Sequence, residues 1–275
     1  MELELKKECL DTYEAGAPQI LTQEETTETI VPDYCPDIAR IISTEGTVCL
    51  HGSVEQEGVS GTVRVTVLYT PEGETGVRTL EFAMPFTVQG EGLADCAHIG
   101  AETEIELLES RMLNPRKIFT RCKLVTHLTG YRKVCLTVST DVGSESEMRV
   151  EKQRCGQNVT LLRQVAEKDL TFSETMSLSL GREGAAELLH CRTGGTVTET
   201  KVIGNKLIFK GVFLTAVLYR TAGGQLASAS SELPFSQIME IDSIGENAQV
   251  SMCLQLTGTD IQIDGADDEG RQLAV

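Results

Sequence analysis

Thr62-Val63-Arg64-Val65-Thr66-Val67-Leu68-Tyr69 carries the clearest structural signal in this chain. Val63, Val65, Val67 and Tyr69 alternate with Thr62, Arg64, Thr66 and Leu68. That period of two sends successive side chains to opposite faces of a half-buried strand. Turn formers follow at Pro71-Glu72-Gly73-Glu74, and Arg78 to Phe82 then reads as the return leg of a hairpin.

The same unit is written a second time. Gly46-Thr47-Val48 recurs as Gly195-Thr196-Val197 at an offset of 149. Val67-Leu68-Tyr69 recurs as Val217-Leu218-Tyr219 at 150, and Pro85-Phe86 as Pro234-Phe235 at 149. Nearly constant offsets in unchanged order mark a duplication. In the second copy Phe213, Thr215, Val217 and Tyr219 share one face, Gly223-Gly224 supplies the turn, and Leu226 to Ser230 returns. Long patterns of helical period are scarce, so the chain reads as all-β and mostly antiparallel. Each unit is expected to be a β-sandwich or open barrel with few short helices. The period exceeds the roughly 20–50 residues of solenoid modules, which makes these two domains rather than a stack.

The expected division is an N-terminal extension at 1–26, a first β-domain at 27–140, a linker at 141–167 and a second β-domain at 168–275. Ser144-Glu145-Ser146-Glu147 marks a turn, and Val159, Leu161, Leu162 and Val165 mark a connecting strand or short helix. Residues Leu3 to Tyr13 fit either a helix or a strand. Val212, Leu214, Ala216 and Leu218 make the second copy's hairpin strand apolar on its other side too, which predicts a domain–domain or subunit contact there. Arg271 to Val275 align with Arg116 to Thr120 at an offset of 155. The first copy's strand continues to Leu128, so the natural polypeptide is expected to continue past Val275.

Composition narrows the function. The 275 residues carry 24 Lys+Arg against 41 Asp+Glu, a formal charge of -17 that repels phosphate backbones and anionic lipid surfaces. No apolar run approaches membrane-spanning length, and the first residues contain no signal-like apolar stretch, so a cytoplasmic location without membrane insertion is expected. The nine cysteines form no C-x-x-C pair and no zinc-finger spacing. They read as reduced, small buried hydrophobes, and the Asn158-Val159-Thr160 sequon as unused.

Motifs that carry chemistry are lacking. Neither a nucleophile elbow, a P-loop nor H-E-x-x-H occurs, and Gly90-Glu91-Gly92 reads as a loop rather than half a dinucleotide fingerprint. His51, His98, His127 and His190 stand far apart and read as surface or packed histidines. Asp260, Asp264, Asp267, Asp268 and Glu269 fail the calcium-loop order, and Gly265 and Gly270 suit a hairpin connection. From Ser110 to Val134, by contrast, Arg111, Arg116, Lys117, Arg121, Lys123, Arg132 and Lys133 occur with no acid. On the strand Arg116–Leu128, Ile118, Cys122, Leu124 and Leu128 take one face while Lys117, Arg121, Lys123 and His127 share the other. That stripe reads as a solvated face balanced by neighbouring acidic strands, or else as a docking stripe for an acidic partner.

Ile30-Val31-Pro32-Asp33-Tyr34-Cys35-Pro36-Asp37-Ile38-Ala39-Arg40-Ile41-Ile42, followed by Glu45-Gly46-Thr47-Val48, resembles the opening of the SPOCS domain. That domain occurs in spore-coat and cortex morphogenesis proteins of endospore-forming bacteria. Pro32-Asp33 and Pro36-Asp37 hold the chain extended and start a turn, which is expected to deliver Ile38, Ile41 and Ile42 as an apolar plug. The second copy is similar through Lys201 to Leu207, Val217-Leu218-Tyr219 and Leu233 to Gln237. Its entry, Gly184-Ala185-Ala186-Glu187-Leu188-Leu189, departs from the pattern by lacking both prolines.

The resemblance implies two tandem SPOCS copies in a noncatalytic scaffold of spore-coat or cortex assembly, without cofactor or metal. It implies protein partners, a spore-coat basement-layer ATPase among them, on the mother-cell side of the forespore surface. Relatives carry a LysM-type module after such units, and none is visible here. Self-association is a separate expectation, resting on the apolar second side of Val212, Leu214, Ala216 and Leu218. The competing class is a carbohydrate- or peptidoglycan-binding module, weakened by the lack of Trp and by only 4% aromatic residues.

Overall fold

A computed structural model describes residues 5–54, 58–142, 151, 153, 155–156, 158–173, 175–177, 185–242, 244–245, 247–263 and 272–274. Among them every regular element is a strand and every pairing is antiparallel, with no closed barrel. The few short helices expected are thus absent from the described residues.

The first unit stacks two sheets. One is the meander β3 (Ile38–Val54), β4 (Gly58–Pro71) and β5 (Arg78–Gln89). The other is organised by β7 (Lys117–Val142), which takes β6 (His98–Asn114) along one side. Along its other side run β2 (Gln19–Ile30) and then β1 (Leu5–Ala15). The boundary expected at residue 26 therefore falls inside β2, and the segment expected as an extension forms part of this sheet. From Leu5 onward the N-terminal segment is a strand, so of the two alternatives for Leu3 to Tyr13 the strand holds over the described part, Leu5 to Tyr13.

Period-two sequence becomes a core where the two sheets meet. Val63, Val65, Val67 and Tyr69 of β4 are buried against Ile118, Cys122, Leu124 and Leu128 of β7. Each fully buried aliphatic side chain contributes about 1.5–3 kcal/mol relative to exposure. Thr120 and Thr126 share that buried face, and their hydroxyls are satisfied across the ladder by Ser110 at 2.7 Å and Thr103 at 3.0 Å.

The second unit repeats the meander as β9 (Ala185–Ile203), β10 (Lys206–Thr221) and β11 (Leu226–Glu240). Short pairings of β8 (Thr175–Ser177), β12 (Gln262–Ile263) and β13 (Gln272–Ala274) form a separate small sheet. The inner face of the meander buries Leu207, Phe209, Val217, Tyr219, Leu233 and Phe235. Phe213 stacks on Phe235 with ring centroids 4.6 Å apart and meets Phe172 at 5.3 Å. Phe172, Met252 and Leu254 cover this face from segments outside any strand.

Both meanders place a glycine beneath an aromatic ring. Gly61 pairs with Phe86 and Gly211 with Phe235, again at offsets of 150 and 149. A Cβ on Gly61 would meet Phe86 Cζ at 2.5 Å, and one on Gly211 would overlap the Phe235 ring and the Thr196 carbonyl. The ring lies where a side chain would stand.

Several local expectations are corrected. In the 158–173 connection Val159, Leu161, Leu162 and Val165 lie outside any regular element, so neither a strand nor a short helix forms there. The connection is instead tied to the first unit through its backbone. The Leu162 carbonyl accepts from Thr12 Oγ1 and from the Tyr13 amide, each at 2.8 Å. Arg163 Nη1 also donates to the Asp11 carbonyl at 2.6 Å. Of the expected apolar plug, Ile38 is fully buried and Ile41 packs against the core, whereas Ile42 is exposed beside an irregularity in the β3 register.

Of Val212, Leu214, Ala216 and Leu218, expected at a domain–domain or subunit contact, Val212 and Leu218 are half-buried, whereas Leu214 is 53% exposed and Ala216 is exposed, so no layer among the described residues of this chain covers those two. The thiols differ from expectation as well. Cys9 on β1 and Cys135 on β7 are close neighbours across the ladder, which brings their Cα atoms to 5.7 Å although 126 residues of chain separate them. Cys49 and Cys122 are buried, while Cys155 and Cys253 are exposed. Ser144 to Glu147, and the acidic run from Asp264 to Glu269, lie outside the described residues.

Gly61→Ala and Gly211→Ala are each expected to destabilise by about 1–3 kcal/mol through overpacking, read from denaturant midpoints. Unchanged stability in both variants would show that the ring is free to move aside.

Candidate functional site

The Pro-Asp segment is a connection between β2 and β3, and its shape is set by hydrogen bonds to distant parts of the chain. Cys35 N–H donates to the Pro32 carbonyl at 2.9 Å, which closes a local turn. Val31 N–H donates to the Arg116 carbonyl at 2.9 Å, and Ile38 N–H to the Pro115 carbonyl at 2.8 Å. Both acceptors lie at the tip of the β6–β7 hairpin, where Asn114 pairs with Lys117 around Pro115-Arg116.

Arg116 joins the two loops. Its Nη1 donates to the Cys35 carbonyl at 2.7 Å and to Asp37 Oδ1 at 3.1 Å. Its Nη2 donates to the Val31 carbonyl at 2.9 Å and to Asp33 Oδ1 at 3.1 Å. A planar guanidinium fork suits this set of acceptors, and a lysine would not reach them all. Asp37 is half-exposed and Asp33 fully so, which makes the two carbonyls the stronger anchors. Pro32 and Pro36 therefore belong to a loop whose carbonyls and carboxylates converge on one cation.

Tyr69 closes the segment from the β4 side, donating from Oη to the Pro36 carbonyl at 3.3 Å. Burial, with the neighbouring Cys35 thiol adding to it, pushes its phenol up to about 12. Burial likewise pushes the Cys122 thiol up to about 11.

The basic stripe lies where alternation puts it, on the outward face of β7. Lys117 pairs with Glu28, Arg121 with Glu24 at 2.5 Å, and Lys123 with Glu106 at 2.8 Å. The hydrogen bond from Arg121 holds the Glu24 carboxyl below the usual range. His127 is exposed, opposite Ile20 on β2 and Glu102 on β6. The carboxylates come from the strands on either side, so each of the three long cations has an internal counter-charge.

Polar contacts join the two units. His190 Nε2 lies 3.0 Å from Glu45 Oε2, and Thr79 Oγ1 donates to the Leu189 carbonyl at 2.8 Å. Arg220, held by Glu187 of its own unit at 2.7 Å, donates across to the Val77 carbonyl. His190 thus has an acidic partner 145 residues away, which no spacing rule reveals. For Arg116 as a clamp, the one sequence signal is its place beside Pro115 at a hairpin tip. Among the described residues no three His, Cys, Asp or Glu side chains converge as a metal site.

Residues 185–264 match the family model described as SipL, SPOCS domain. The match falls on the second unit, whose entry lacks the Pro-Asp pair. No curated protein and no solved structure matches the chain.

Arg116→Ala is expected to lower stability by about 1–3 kcal/mol, with Arg116→Lys restoring little of it, as measured by denaturant unfolding. Full restoration by lysine would show that charge alone holds the loop. Stability should also fall as pH rises above about 9, because folded Tyr69 and Cys122 retain protons that the unfolded chain releases. Thermal midpoints that stay level between about pH 8 and pH 11 would contradict that burial effect.

Proposed function

We propose that this chain is a noncatalytic assembly protein of sporulation, built from two SPOCS-type units and acting through contacts with other proteins of the spore coat or cortex. The observation that carries this reading is the family match over 185–264. The repeated meander supports the two-unit reading, since Gly61 with Phe86 and Gly211 with Phe235 occupy the same places in both. The mother-cell side of the forespore is the compartment this role requires, and a coat basement-layer ATPase is a partner to test first.

The Pro-Asp loop acts here as a positioning element. Arg116 takes up the Val31 and Cys35 carbonyls and contacts Asp33 and Asp37, so the loop ties the β2–β3 connection to the β6–β7 turn. Use of Lys117, Arg121 and Lys123 as a docking stripe would require an acidic partner to displace Glu28, Glu24 and Glu106. Reversing those three charges tests that version directly.

In sporulating cells, a tagged chain is expected at the forespore surface, and proximity labelling is expected to enrich coat or cortex proteins. Diffuse distribution without such enrichment would remove the assembly reading. Capture that survives charge reversal of Lys117, Arg121 and Lys123 would remove the stripe alone.

A further inference from the structure

The outward face of the β9–β10–β11 sheet is more apolar than its counterpart in the first unit. Cross-strand register places Gly194, Leu214 and Glu232 in one row, Thr196, Val212 and Pro234 in the next, and Lys201, Ile208 and Ile238 further along. Leu214, Ile203 and Ile238 are 53%, 50% and 48% exposed. In the first meander the rows equivalent to those of Leu214 and Val212 are Thr47, Arg64 and Ala83, and Cys49, Thr62 and Pro85. The middle strand thus exchanges Thr62, Arg64 and Thr66 for Val212, Leu214 and Ala216. An antiparallel sheet normally turns polar side chains outward, so aliphatic residues on this face call for a cover.

Charge narrows what the cover can be. The chain carries -17 overall, yet on this face Lys210 pairs with Glu199 at 3.2 Å and Lys206 with Glu240 at 3.7 Å. A second copy, although as acidic overall, meets paired charges here, with Glu232 and Lys201 the further charged residues of these rows. The area also suffices. The part of β10 from Lys206 to Ala216 spans about 34 Å, and three strands span about 14 Å, giving about 480 Å² per copy in projection. Two copies together come to about 1,000 Å², the lower limit for a specific interface, which fits a dimer that dissociates on dilution.

We infer that two copies of this chain associate through these faces, sheet on sheet, about a twofold axis. The inference deepens the assembly reading by naming the chain itself as a partner. It is tested apart from that reading, on the purified 275-residue chain.

Light scattering and sedimentation should report a dimer that dissociates on dilution. Leu214→Asp and Ile238→Glu should each shift dissociation at least tenfold toward monomer with unchanged circular dichroism, because both side chains are already exposed. Thr47→Asp, on the matching face of the first unit, should leave the dimer intact. A wild-type chain that stays monomeric up to about 1 mM overturns the inference. So does a dimer indifferent to Leu214→Asp and Ile238→Glu. If the wild type is monomeric but Leu214→Asp abolishes recruitment to the forespore, a different protein covers this face; the self-association inference then fails while the assembly reading survives.

Discussion

Burial of one face of β7 governs the architecture of the first unit. Every other strand of its sheet is joined through it: β6 along one side, β2 and β1 in succession along the other. Ile118, Cys122, Leu124 and Leu128 can leave water only if a second apolar face lies over them, and β4 supplies it through Val63, Val65, Val67 and Tyr69. With that face committed inward, period two commits Lys117, Arg121 and Lys123 outward. The flanking strands then supply Glu28, Glu24 and Glu106, which lets an acidic chain carry a basic strand at its centre.

The same stacking makes the Pro-Asp loop a joint. Once β4 lies over β7, the β2–β3 connection and the β6–β7 turn arrive at one end of the sandwich, where Arg116 and Tyr69 bond to the loop. Prolines reduce the freedom the loop loses on ordering, and charge-assisted bonds to carbonyls secure it. The second unit lacks the Pro-Asp entry, and its meander is covered instead by Phe172, Met252 and Leu254. The two meanders therefore reach burial by different means, and the second has an aliphatic outer face that the first does not.

Alternation, turn residues and paired echoes are enough to read the all-β class, both hairpins, the core face of β7 and the stripe opposite it. These are local properties, since side-chain direction along a strand depends on the strand's own geometry. Boundaries are less legible: β5 and β11 run past the expected return legs to Gln89 and Glu240, because pairing with β4 and β10 extends them. The uncovered state of Leu214 and the closeness of Cys9 to Cys135 escape a sequence reading for a related reason. Both depend on what lies across a sheet or beside it.

Reading along the chain thus settles which side of each strand is apolar and where the chain turns. That Arg116 meets Asp33 and Asp37, that His190 meets Glu45, and that its own chain leaves Leu214 uncovered are properties of the assembled sheets alone. The difference is between a local period and a long-range pairing. A residue's face is set by its immediate neighbours in the strand, whereas a partner far along the chain is set by how whole sheets stack.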